Sequence, residues 1–176
     1  MSYNSKYSGN QVQNSLDWIA EAGGGHYSNA YRGDITSNEA WVRCCYIVSN
    51  NVASVGMLTV YTGYNHATPS AMTLWFASGL GDNKQVKLLG KLEQWYAVAK
   101  FTKCRFVYDA NDGSKPVYFD VKLNFTGIDA EHAAGSCYAT LTGHTAITTS
   151  ICTAQQSQLL NPTIASNYTV KEFDIA

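Results

Sequence analysis

The spacing of hydrophobic residues changes near residue 25. Within residues 10–22 the apolar positions recur at helical spacing, which predicts an amphipathic helix of about three turns. Ser8 or Asn10 would cap its first turn. The apolar stripe consists of Val12, Leu16 and Ile19, with Trp18 beside it. Because a lone helix this short is only marginally stable in water, the stripe is expected to dock on another surface.

Three consecutive glycines, Gly23, Gly24 and Gly25, follow this segment and predict a hinge. The chain is therefore expected to have two parts. Residues 1–25 would form an N-terminal arm, helix and hinge, and residues 26–176 would form the main domain. A chain beginning at His26 is expected to stay folded, because the hinge separates it from the arm.

After the hinge the hydrophobic period becomes two, as in β-strands. Residues 117–125 are apolar at every odd position, and most even positions are polar, including Asp120. This pattern predicts a strand with one face on a core and the other in water. Residues 100–108 alternate in a similar way, and the segment 109–116 between them is rich in turn-forming residues. These two strands are predicted to form a hairpin.

A second hairpin is predicted from residues 41–48 and 52–61, turning at 49–51. Further strands are predicted over residues 70–77, 86–89, 137–142, 146–152 and 168–175. About seven to nine short strands with Gly- and Asn-rich turns are typical of an antiparallel β-sandwich. The expected fold class is mainly β.

The composition narrows the classes of function. Only 14% of the 176 residues are charged and the net charge is −1, so there is no basic field to hold nucleic acid or an anionic membrane. No apolar run approaches the roughly 20 residues of a membrane-spanning helix. Aromatic residues make up 12% of the chain, which argues against disorder. The sequence predicts one main globular domain, with no nucleic-acid or membrane partner.

The five cysteines are odd in number and include no CxxC pair. Without an apolar leader at the N-terminus, they are expected to be reduced thiols in the core. Cys44 and Cys45 are neighbours in a predicted strand. They are therefore expected to point to opposite faces and not to be bonded to each other.

Catalytic and metal-binding motifs are scarce in the sequence. Its four histidines are far apart, and no nucleophile elbow, phosphate loop or dinucleotide fingerprint occurs. Residues 109–113 have the acidic character of a calcium loop, but Gly113 comes one position too early and no glutamate closes the loop, which favours a hairpin turn. We expect a protein that is not an enzyme, with no catalytic residues, no metal and no cofactor.

Aromatic residues allow two interpretations. They would stack on sugar rings if several were exposed on one face, or they would pack in the core and at interfaces, which is the commoner role of Tyr and Trp. The residues concerned are Trp41, Tyr46, Tyr61, Tyr64, Trp75, Trp95, Tyr96 and Tyr118.

Three segments carry a resemblance to a known family. Residues 2–12, SYNSKYSGNQV, followed by a short amphipathic helix, resemble the start of fibre proteins from phages and prophages of Bacteroides-type gut bacteria, including the crAss-like group. Residues 39–43, EAWVR, are similar to the strand that opens the knob of those proteins. Residues 101–108, continuing to 118–121, are similar to a hairpin of the same knob.

The resemblance implies a virion protein, made in the bacterial host cytoplasm and located on the capsid surface. The arm would bind the major capsid protein or another virion protein, and the knob would form a homotrimer. The long shaft of a tail fibre is missing, so a capsid head fibre is favoured. The alternative is a carbohydrate- or receptor-binding tail-fibre tip or lectin-like module, with host-surface glycans as ligands. The expected anchor residues are Tyr3, Tyr7, Val12, Leu16, Trp18 and Ile19.

Overall fold

The structure is a computed structural model that describes residues 27–32, 39–64, 67–92, 100–124, 136–144, 149–152 and 160–175. The predicted arm, helix and glycine hinge lie outside these residues. Within them, no helix is long and apolar enough to span a membrane.

The described part of the chain contains ten strands. They are β1 (Tyr27–Arg32), β2 (Glu39–Ile47), β3 (Ser54–Tyr64), β4 (Ala67–Ser78), β5 (Lys84–Leu92), β6 (Lys100–Asp109), β7 (Val117–Asn124), β8 (Ser136–His144), β9 (Thr149–Ile151) and β10 (Tyr168–Asp174).

The strands form two antiparallel sheets that pack face to face. Sheet A has the order β1-β8-β3-β4-β5, and sheet B has the order β10-β6-β7-β2-β9. The predicted β-sandwich is confirmed. The predicted hairpin of β6 and β7 is confirmed as well, with Phe106 opposite Phe119. Strand β1 is an addition, because its polar sequence YSNAYR carries little hydrophobic alternation.

The second predicted hairpin is wrong. Strands β2 and β3 both exist, but β2 pairs with β7 and β9 in sheet B, whereas β3 pairs with β4 and β8 in sheet A. The connection between them crosses from one sheet to the other. The backbone amides of Asn50 and Asn51 donate to the carbonyls of Lys115 and Gly113, both at 2.9 Å. The connection between β2 and β3 is thus hydrogen-bonded to the loop between β6 and β7 and does not form a hairpin turn between paired strands.

Aromatic rings from both sheets meet at the centre of the core. The ring of Phe76 in sheet A stacks on that of Phe119 in sheet B, with centroids 5.0 Å apart and planes at 19°. Phe106 lies against Phe119 at 4.9 Å. Gly56 faces this cluster, and a Cβ atom there would lie 2.5 Å from Cζ of Phe76. The missing side chain at residue 56 is therefore what makes room for the Phe76 ring.

Four of the cysteines, Cys44, Cys45, Cys104 and Cys152, are buried free thiols, as expected. The side chain of Cys137 lies outside the described residues. The expectation that Cys44 and Cys45 would point to opposite faces is wrong. A β-bulge between Arg43 and Cys45 interrupts the alternation, and both thiols belong to the buried core.

Candidate functional site

The predicted anchor residues, Tyr3, Tyr7, Val12, Leu16, Trp18 and Ile19, lie outside the described residues, as do Gly23, Gly24 and Gly25. The candidate sites that the structure does describe are therefore on the sandwich. Two stand out: a charged cluster on the outer face of sheet B and a lysine network at one end of the two sheets.

The charged cluster is centred on Asp120 of β7. Its carboxylate accepts hydrogen bonds from Nε and Nη2 of Arg43 at 2.8 and 3.2 Å, and from Nε of Arg105 at 2.9 Å. Asp120 is 0% exposed. Strand register explains the arrangement, because Arg43 of β2 and Arg105 of β6 lie directly opposite Asp120 on either side of β7. The prediction that this face of β7 is in water is wrong at Asp120, since both neighbouring strands cover it.

Aromatic rings cover the two arginines of this cluster. The guanidinium carbon of Arg105 lies 4.0 Å from the centroid of the Trp41 ring, and that of Arg43 lies 4.1 Å from the Tyr118 ring. Cation–π contacts of this kind stabilise a guanidinium that has been partly removed from water. One face of each ring is therefore already occupied by a cation, which reduces the surface left for a stacked ligand.

Three tyrosines form a row beside the cluster. The ring centroids of Tyr46 and Tyr118 are 6.3 Å apart, and those of Tyr118 and Tyr168 are 6.4 Å apart. All three residues are half-buried. They belong to β2, β7 and β10, so the row runs across sheet B and partly along it. The tyrosine row is thus a set of tilted rings, at 48° and 31° to one another, of which Tyr118 is also covered by Arg43.

The aromatic residues named as sugar-stacking candidates do not share one face. Trp41, Tyr46 and Tyr118 lie on the outer face of sheet B, whereas Tyr61 and Trp75 lie on that of sheet A. The side chains of Tyr64, Trp95 and Tyr96 lie outside the described part of the chain. The five described rings therefore lie on two separate outer faces and do not form a single platform.

The lysine network closes one end of the sandwich. Nζ of Lys84, the first residue of β5, donates to Oδ1 of Asn50 at 2.8 Å, to the carbonyl of Gly79 at 3.2 Å and to the carbonyl of Gly81. It also lies 4.4 Å from the centroid of the Tyr108 ring. Lys84 is only 3% exposed. Burial lowers the pKa of Lys84 to about 8, with the nearby Asp82 carboxylate acting in the opposite direction.

Tyr108 and Asp82 extend this network to the surface. The Tyr108 hydroxyl donates to Asp82, and Nζ of Lys171 in β10 donates to the Asp82 carbonyl at 2.9 Å. Burial and the Asp82 carboxylate together raise the pKa of Tyr108 to about 12. These hydrogen bonds join Lys84 of sheet A, Tyr108 and Lys171 of sheet B, and the loops that contain Asn50 and Asp82. We call this arrangement a structural clamp between the two sheets.

Other reactive groups are held in unreactive states. Burial raises the pKa of both Cys104 and Cys152 to about 12, so neither is a thiolate at neutral pH. Oδ1 of Asp109 accepts hydrogen bonds from the backbone amides of Asn111 and Asp112, at 2.9 and 3.1 Å, which supports the turn interpretation of residues 109–113. Among the described residues, no group of three His, Cys, Asp or Glu side chains is placed to hold a metal ion.

The sequence contains a signal for the charged cluster. Trp41 and Arg43, and likewise Tyr118 and Asp120, are two residues apart, so each pair lies on one face of its strand. Charged residues next to aromatic ones inside strands of a charge-poor chain favour a buried ionic contact. Lys84 offered no such signal, because its three acceptors come from two separate loops.

These features define the chain as an antiparallel β-sandwich with a charged cluster on one outer face. Comparison with protein-family models gives no match, and comparisons with curated proteins and with solved structures likewise give no significant match.

Proposed function

We propose that the chain is a non-enzymatic structural protein of a phage virion, a capsid head fibre that attaches through residues 1–25 and presents the β-sandwich as its knob. The proposed family rests on the sequence resemblance. The observation that carries the proposal is spatial: the knob segments that show the resemblance fall on β2, β6 and β7, which are neighbouring strands of sheet B. Segments far apart in the sequence therefore belong to one structural unit.

The same three strands supply the charged cluster. Arg43 comes from β2, Arg105 from β6 and Asp120 from β7, and each of the three belongs to a segment that resembles the fibre knob. A cluster that joins three central strands through charge-assisted hydrogen bonds is suited to a structural role in sheet B. This favours a knob whose task is to hold its shape on a particle. By the same resemblance, the knob is proposed to be a homotrimer.

Attachment to particles tests the proposal. The full-length Leu16→Asp, Ile19→Asp variant places two charges in the apolar stripe, and it should fail to co-sediment with virions of the phage that encodes the chain. The matched control is Asn10→Asp, Asn14→Asp, which adds the same charge on the opposite side of the predicted helix and should attach normally. Mass spectrometry of purified virions should detect the wild-type protein, and its absence there would overturn the proposal. Light scattering of the purified chain tests the trimer.

A second candidate function is glycan binding by the knob. The tyrosine row Tyr46, Tyr118 and Tyr168 favours it, because its half-buried rings lie at regular spacings of 6.3 and 6.4 Å. On a glycan array, the full-length protein should then show saturable binding that Tyr168→Ala weakens. Tyr61→Ala changes an equally aromatic position on sheet A and should leave the binding unchanged. An array without saturable binding would remove this function.

A further inference from the structure

The outer face of sheet A is apolar and partly exposed. On β3, Val55 is 43% exposed, Met57 38% and Tyr61 37%. Trp75 of β4 lies opposite Met57 and is half-buried. We call the outward side chains of β3, β4 and β5 the sheet A face; its members include Val55, Met57, Tyr61, Trp75, Lys87 and Leu92.

The sheet A face has few polar groups that need hydration. Lys87 is the one charged side chain among the described members just named. The hydroxyls of Thr59 and Thr73 face each other across the strands at 3.1 Å and satisfy one another. At the edge, Leu92 is 52% exposed. Exposed apolar side chains grouped on one sheet face in this way favour a surface that another part of the chain or a partner covers.

The chain outside the described residues begins beside this face. Tyr27, the first residue of β1, lies opposite Leu141 of β8, and the next residue of β8, Thr142, lies opposite Met57. The chain therefore enters sheet A at the level of the row that contains Met57 and Trp75.

The distances match as well. The four residues 23–26 reach up to about 13 Å, which is more than the roughly 10 Å between packed layers, so they can carry the chain from β1 onto the outer face. A helix over residues 10–22 is about 20 Å long, close to the roughly 19 Å across the five strands of sheet A.

We propose that residues 10–22 fold back on the free protein and cover the sheet A face, with Val12, Leu16 and Ile19 packed over Met57 and Trp75. The inference concerns the free chain and does not rest on the virion assignment. It joins a predicted apolar stripe, too short to be stable alone, to an apolar sheet face that is partly exposed in the described part of the chain, at the point where that stripe is tethered.

Tethering favours this occupant over a second copy of the chain. A short linker holds the stripe at an effective concentration of the order of millimolar near its own sheet. A second copy at micromolar concentration competes at a disadvantage of about a thousandfold. The particle surface faces the same competition, so docking of the arm on a virion has to displace the stripe from the sheet A face.

Methionine oxidation provides the first test. The full-length protein is treated with dilute hydrogen peroxide, and the rate of sulfoxide formation at Met57 is measured by peptide mass spectrometry, with buried Met72, 1% exposed, as internal reference. Leu16→Asp, Ile19→Asp should oxidise at Met57 about fivefold faster than wild type, because the cover is lost. Asn10→Asp, Asn14→Asp should oxidise at the wild-type rate. Equal rates in wild type and the stripe variant would overturn the proposal.

Photo-crosslinking identifies the occupant and does not depend on the charged variant folding. A benzophenone amino acid at position 16 is introduced into full-length protein, and equal amounts of isotopically light and heavy chains are mixed before irradiation. Crosslinks to the peptide that contains Met57 and Trp75, within light or within heavy chains only, support the proposal. Mixed light–heavy crosslinks would mean that a second copy covers the face. Crosslinks elsewhere, or none, would likewise overturn the proposal.

Discussion

Replacing Asp120 by Asn removes the centre of the charged cluster with almost no change of shape. The wild-type carboxylate accepts three charge-assisted hydrogen bonds, two from Arg43 and one from Arg105. Asparagine keeps one acceptor oxygen, but its amide group turns N–H donors towards a guanidinium that also donates. Arg105, only 7% exposed, and its neighbour Arg43 then retain their charges without the carboxylate that bonds both of them.

The expected loss of stability is large for one substitution. Breaking a buried ion pair by removing one partner costs about 3–5 kcal/mol, because the remaining charge stays partly desolvated. The three hydrogen bonds give a consistent figure, at about 1.5–3 kcal/mol for each bond to a charged group, of which asparagine preserves a part. With a urea m value of about 2 kcal/mol/M, the unfolding midpoint should fall by roughly 1.5–2.5 M.

Urea unfolding monitored by circular dichroism and tryptophan fluorescence measures this shift. The matched control is Asp174→Asn, because Asp174 is 82% exposed and pairs with Lys103 at 3.6 Å. Its midpoint should stay within error of wild type, since surface pairs contribute little. A loss below about 1 kcal/mol for Asp120→Asn, at unchanged m, would refute the idea that the cluster holds sheet B together.

A double-mutant cycle shows whether the arginines act through Asp120. Asp120→Asn should cost less in an Arg105→Met background than in wild type, with a coupling energy of at least about 1 kcal/mol. Effects that add within about 0.5 kcal/mol would mean that the Arg105–Asp120 contact contributes little to folding.

Three further predictions concern the core, the lysine network and the thiols. Gly56→Ala should lower the free energy of unfolding by about 1–3 kcal/mol, because its Cβ would overlap the packed ring of Phe76; a neutral result in urea unfolding would contradict the close packing. Lys84→Met should lower the melting temperature, because it leaves buried acceptors of two loops without their donor; calorimetry showing no loss would contradict the clamp. Burial raises the pKa of Cys104 and Cys152 from 9.0 to about 12, so the free energy of unfolding should fall as pH rises through this range. Burial lowers the pKa of Lys84 from 10.5 to about 8, so this residue should raise the free energy of unfolding as pH rises between those values. In urea melts at several pH values, Cys104→Ala with Cys152→Ala should flatten the alkaline loss, and an unchanged pH slope would contradict this origin.

The candidate site was foreseen only in part. Trp41, Tyr46 and Tyr118 are candidate ligand-binding residues in the sequence, because exposed aromatic rings can stack on ligands. The structure places them on one face of sheet B and uses Trp41 and Tyr118 to cover arginines. Arg43, Arg105 and Asp120 were not foreseen as a unit, because they come from three strands whose pairing is not encoded in any one of them.

Local pattern alone determined the β class, most of the strands and the hairpin of β6 and β7. Alternation over residues 117–125 and a dense turn segment are short-range signals, and short-range signals suffice for a hairpin. Tertiary structure decided which sheet each strand joins. Strands β2 and β3 alternate well enough to pair with each other, yet they lie in different sheets, and the 48–53 connection hydrogen-bonds to the loop between β6 and β7.

The same distinction explains Asp120. A period-two pattern separates the two faces of a strand, but it cannot tell a face in water from a face covered by neighbouring side chains. Asp120 is buried because Arg43 and Arg105 arrive from both sides in register, and those partners are 77 and 15 residues away along the chain. The sequence thus determined that Asp120 points away from the core, and only the assembly of three strands decided that it is removed from water, since burial of a charge depends on partners that long-range pairing supplies.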